Sequence, residues 1–170
     1  MQCESFDTLP LGAQLTVYLL NPVPGNTWQP PNGDFWGAAF VWANNHSTNS
    51  GFARIDNRRR AGGSVQDVMI NNINLCFAVN FGQVLSRIKF SFGEYGGNLN
   101  LVINRQFVNF KNFRDIHGQT IGGVRVNVLG GGFGNDTGAV ELSGKITDQR
   151  WYGHMAIGGQ ELWIDDLCWE

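Results

Sequence analysis

Ile88-Lys89-Phe90-Ser91-Phe92-Gly93-Glu94-Tyr95-Gly96-Gly97-Asn98-Leu99-Asn100-Leu101-Val102-Ile103 alternates apolar and polar residues on both sides of a glycine-rich break. Strict alternation marks a strand with one buried face. On the first side Val84, Ile88, Phe90 and Phe92 oppose Leu85, Arg87, Lys89 and Ser91. On the second, Leu99, Leu101 and Ile103 oppose Asn98, Asn100, Val102 and Asn104. The pattern recurs outward at Ile73, Leu75, Phe77 and Val79, at Val124, Val126 and Val128, and at Val140, Leu142 and Ile146. Gly62-Gly63, Gly93 to Gly97, Gly130 to Gly134 and Gly158-Gly159 read as the turns between them.

About eight to ten strands at this spacing predict an all-β fold, an antiparallel two-sheet β-sandwich of jelly-roll-like topology with both termini in neighbouring strands. Its predicted core is Ile73, Leu75, Phe77, Ile88, Phe90, Phe92, Leu99, Leu101, Val124, Val126, Val128, Leu142, Leu162 and Ile164. Residues 106–116, with Phe107, Phe110 and Phe113 three apart, read as strand and loop.

Composition agrees. With 23 Gly and 18 Asn among 170 residues, the chain is rich in the types that break helices and populate turns. The length fits a single domain over 1–170, with all five prolines in an extended section at 7–35. A formal charge of −2 argues against nucleic acid as a partner. No apolar run approaches the roughly 18 residues of a membrane span.

Cys3 and Cys168 sit near opposite ends. In a sandwich whose first and last strands are neighbours they would close a disulfide, which implies an oxidising compartment. The alternative is three reduced thiols in a cytosolic protein. Cys76, inside Asn72-Ile73-Asn74-Leu75-Cys76-Phe77, reads as a small buried thiol.

Two further stretches carry a resemblance. Phe90 to Leu101 and Gly158-Gly159-Gln160-Glu161-Leu162-Trp163-Ile164-Asp165-Asp166-Leu167-Cys168, with the opening Cys3-Glu4-Ser5-Phe6-Asp7, resemble secreted bacterial β-sandwich proteins of unassigned function. More distantly the chain is similar to jelly-roll carbohydrate-binding modules, although their usual ligand-platform motif is absent. The modules' structural calcium sits between an acid near the N-terminus and an Asp in the last strand. That resemblance places Ca2+ at Glu4 with Asp165 or Asp166, and it implies an extracellular or cell-surface location.

Chemistry-bearing motifs are sparse. His46, His117 and His154 are isolated, and no zinc spacing or nucleophile elbow occurs. Glu94, Glu141, Asp165 and Asp166 are the carboxylates that a sandwich glycosidase would pair. Arg58-Arg59-Arg60, between Asp56 and Asp67, reads as a solvated basic turn. Aromatic faces stack on sugar rings while amides bind hydroxyls. Trp36, Trp42, Tyr95 and Asn98 are therefore the candidate ligand-binding residues, with Trp28, Asn26, Asn32, Asn44 and Asn45 near them in the chain.

The expectation is an extracellular non-catalytic binding module for carbohydrate with a structural calcium. The alternative is a structural assembly subunit of a virion, fibre or surface layer that packs against copies of itself. A glycoside-active enzyme is the lesser alternative.

Overall fold

The computed structural model describes residues 1–15, 34–48, 50–63, 65–79, 82–131, 136–149 and 151–170. The middle of the proline-containing section, and with it Trp28, Asn26 and Asn32, lies outside the described residues. Among those residues there are twelve strands and no α-helix. In chain order they are β1 (Gln2–Glu4), β2 (Asp34–Val41), β3 (Ser47–Thr48), β4 (Phe52–Asp56), β5 (Asp67–Asn71) and β6 (Ile73–Ala78). They continue with β7 (Val84–Ile103), β8 (Gln106–Phe110), β9 (Thr120–Ile121), β10 (Val124–Gly130), β11 (Asp136–Thr147) and β12 (Met155–Trp169).

All strand pairings are antiparallel, and β7 and β12 run side by side as the spine. Each changes its other partner partway. Along Met155–Gly159, β12 pairs β6, which pairs β2, while the end of β7 from Leu99 pairs β8. Along Leu162–Ile164, β12 pairs β5, which pairs β4, while the first half of β7 pairs β11 and through it β10 and β9. The result is one large antiparallel sheet with two arms branching from a common spine, where alternation alone predicts two separate sheets.

The glycines explain the difference. Gly93 to Gly97 and Gly158-Gly159, expected as turns, lie inside β7 and β12. A Cβ on Gly93 would meet the Arg60 carbonyl, and one on Gly158 would meet the Asn74 side chain. Glycine there serves close approach, not chain reversal. Gly96 and Gly97, at φ of 87° and 65°, flip the alternation of β7 where the arms part, opposite a register shift between Gly159 and Glu161.

One apolar cluster joins both arms, and every residue of the predicted core belongs to it. Phe77 of β6 lies 5.0 Å from the Trp169 ring, and Phe35 of β2 lies 5.9 Å from Phe6. Val84 is a correction: it is 51% exposed and Leu85 is buried instead. Ser86 and Arg87 both donate their N–H to the Glu170 carbonyl, a bulge that shifts parity before Ile88.

Residues 106–116 form β8 and then a short 3₁₀ turn, Phe113–Ile116. Phe113 packs on Phe92 at 4.3 Å and Phe110 at 5.4 Å as a core plug, while Phe107 is exposed.

The termini are neighbours. Cys3 pairs Cys168 in the β1–β12 register, and the two are joined by a disulfide. Cys76 is a free, fully buried thiol whose pKa burial pushes up to about 12.

Candidate functional site

An open pocket of about 360 Å³ is lined by Trp42, Ala43, Asn44, His46 and Asn98. Four of these come from one tight hairpin between β2 and β3. Trp42 donates its N–H to the His46 carbonyl at 2.8 Å, and Asn45 donates to the Trp42 carbonyl at 2.9 Å. Asn45 takes φ of 61°, a left-handed conformation that asparagine tolerates. The Asn44 Oδ1 accepts the His46 N–H at 3.1 Å, which locks the tip. Phe40, fully buried, meets the Trp42 ring edge-on at 5.2 Å, leaving the indole half-buried at the rim.

Asn98 reaches the pocket from β7, on the face away from the main core. Its Oδ1 accepts from the Asn109 Nδ2 at 2.7 Å. The same Asn109 Nδ2 reaches the Asn100 Oδ1 at 2.9 Å and the Val41 carbonyl at 3.1 Å. Asn109 thus ties β8 to the end of β2 and sets the amide of Asn98. Behind it the register aligns Ala38, Asn74, Gly158, Asn100 and Asn109 across five strands. On either side of Gly158, the Asn74 Oδ1 and the Asn100 Nδ2 are buried without a hydrogen-bond partner.

The structure brings together Trp42 and Asn98, with the expected neighbour Asn44, and adds His46. Trp36 is elsewhere, packed on Cys76, Val102 and Ala156 with its Nε1–H donated to the Trp151 carbonyl at 3.0 Å. Tyr95 is on the other arm. Its ring stands edge-on to Trp163 at 5.3 Å, and the Arg60 guanidinium lies over it at 5.4 Å. Asn109 and His46 were outside the predicted ligand set. The spacing Asn98-x-Asn100 and its cross-strand partner Asn109 become one constellation only once the register is known.

The expected calcium ligands do not share a face. Glu4 pairs Leu167, which belongs to the main core, and its Oε1 accepts the Phe6 N–H at 3.1 Å. Asp165 lies on the Trp163 side of β12, where a Cβ on Gly63 would strike its Oδ2; its Oδ1 accepts the Asp166 N–H at 2.7 Å. Asp166 is exposed, at φ of 49° in a bulge between Asp165 and Cys168. Among the described residues no group of three His, Cys, Asp or Glu side chains is placed to hold a metal ion. The donors present do not fit a calcium ion held by Glu4 with Asp165 or Asp166.

Asp7, Asp56, Asp67 and Glu94 each hold hydrogen bonds within the protein. Asp56 accepts the Trp163 Nε1–H at 2.9 Å and pairs with the Arg58 Nε at 3.6 Å. Asp67, directly opposite Asp56, accepts the Ala61 N–H at 3.0 Å; burial raises its pKa, against hydrogen bonds from Ala61 and Arg60 and with the charge of Asp56. Asp7 accepts the N–H groups of Val65 and Gln66, both at 2.8 Å. These acids strap the loop that carries Arg58, Arg59 and Arg60. Glu94 is buried on the core side, its Oε2 accepting the Phe113 N–H at 2.7 Å and its Oε1 unpartnered. Burial pushes its pKa up to about 7, with Asp136 and Asp115 adding to the rise. It faces away from Asp165, so these two do not form a facing pair of acids.

Comparison with protein families, with curated proteins and with solved structures finds no match.

Proposed function

We propose that this protein is a non-catalytic carbohydrate-binding module that works outside the cell. The observation that carries the reading is the Trp42 pocket. A half-buried indole stands beside Asn44, His46 and Asn98 in an open cavity of about 360 Å³. Sugar recognition uses this combination, an aromatic face for the ring and fixed amides for its hydroxyls. The hairpin and the Asn109 brace hold those groups in place before a ligand arrives, which lowers the ordering cost of binding.

The disulfide between Cys3 and Cys168 supports an oxidising compartment. Among the described residues no helix is long and apolar enough to cross a membrane. We read the two arms as layers of a sandwich that close on one core, supported by the Phe77–Trp169 contact between them. Such a scaffold leaves its outer faces to binding.

The test is titration of a glycan panel with wild type and with Trp42→Ala. Wild type should bind at least one member. Trp42→Ala should weaken that binding by about 1–3 kcal/mol, in a variant shown by circular dichroism to be folded at the assay temperature. A panel that wild type ignores, or a variant that binds equally well, rejects the reading.

A further inference from the structure

We infer that the Trp42 pocket selects an anionic saccharide, one bearing a carboxylate or a sulfate; this rests on the carbohydrate reading above. The reason is which half of each amide is already used. An asparagine offers an oxygen with two lone pairs at one end and two N–H donors at the other, so the end that faces a site depends on which end its neighbours hold. The Asn98 Oδ1 is taken by the Asn109 Nδ2 at 2.7 Å, and the Asn44 Oδ1 by the His46 N–H at 3.1 Å. Both lining amides therefore face a ligand through Nδ2, as donors.

The orientation of Asn98 follows from its neighbours. The Asn109 Nδ2 faces the Val41 carbonyl, which can only accept, and shares its two hydrogens among that carbonyl, the Asn98 Oδ1 and the Asn100 Oδ1; a nitrogen of Asn98 turned toward it would meet donor with donor. In the same way, a backbone N–H obliges Asn44 to present oxygen inward. His46, exposed, adds one ring N–H when neutral and two when protonated.

Among the described residues no Asp or Glu lines the pocket. Lys111 follows Phe110, the partner of Leu99, and so stands at the register position across from Asn98, where it is exposed. Two asparagines that present donors, an exposed lysine at the register position across from Asn98 and, among the described residues, no lining carboxylate match a ligand rich in acceptors and carrying negative charge. Hydrogen bonds to a charged acceptor are about twice as strong as neutral ones, which corresponds to roughly tenfold in affinity for one such bond.

The experiment is calorimetric titration with uronic-acid oligosaccharides and with sulfated oligosaccharides, each beside its carboxyl-reduced or desulfated counterpart. The anionic member of at least one pair should bind about tenfold more tightly, and added salt should narrow the gap. Asn98→Asp and Asn44→Asp keep the inward oxygen and replace the outward donor with an acceptor. Either variant, checked for an unchanged melting temperature, should abolish or reverse the preference.

Neutral members that bind as tightly as anionic ones overturn the inference and leave the carbohydrate reading standing. Binding of no saccharide removes both. Tighter binding of a single-stranded oligonucleotide than of any anionic saccharide also overturns it, by making the pocket a general polyanion site.

Discussion

Glu94 shows how one side chain couples this fold to pH. Its carboxyl is buried beside the 3₁₀ turn, and burial lifts its pKa from 4.5 to about 7. Between those values the folded state holds a proton that the unfolded chain releases. The group's stabilising contribution is therefore complete below about pH 4.5 and is lost as pH rises through about 7. Glu94→Gln keeps an oxygen for the Phe113 N–H and has no charge to bury. Urea unfolding should show the variant more stable than wild type at pH 8. That advantage should shrink by about 3 kcal/mol on moving to pH 4. A difference independent of pH would mean that Glu94 titrates alike in the folded and unfolded chain. At this same scale the sequence was least informative: Glu94 and Asp165 look alike as letters, yet one faces the core and the other a loop.

The strands were legible because alternation is a local signal. Phe90, Phe92, Leu99 and Leu101 announce their face within five residues, and all four are buried. The glycines were misread because turn propensity and close approach leave the same letter. Gly158 sits in mid-strand against Asn74, and only the partner strand reveals why. Gly158→Ala should accordingly displace Asn74 and cost about 1–3 kcal/mol in thermal or chemical unfolding. A loss near zero would mean that the Asn74 side chain does not crowd Gly158. The candidate site was half legible for a related reason. Trp42 and Asn98 stand out as an aromatic and an amide in polar company, whereas the Asn109 brace depends on a cross-strand pairing.

At the scale of the whole molecule, the disulfide and the spine carry the architecture. Cys3 and Cys168 are 165 residues apart in sequence, so their bond removes a very large loop from the unfolded ensemble. On the chain-entropy model its reduction should cost about 5 kcal/mol, read as a lower urea midpoint with reductant than without. An unchanged midpoint would mean that β1 and β12 are held by pairing and packing alone. Termini in adjacent strands followed from the sandwich expectation, and the disulfide agrees with it. The branching of one sheet from β7 and β12 did not follow, because it depends on strands of 20 and 15 residues running on through their glycines.

Nitrogen-15 and proton NMR of the folded protein during glycan titration reads a saccharide site at Trp42 residue by residue. Saturable shifts should concentrate on the Trp42 indole N–H, the side-chain amides of Asn44 and Asn98, and the His46 backbone. The Trp36, Trp163 and Trp169 indoles should stay unmoved. Shifts confined to the Tyr95–Arg60 side of the other arm, or no shifts with any glycan, would mean that Trp42 binds no saccharide.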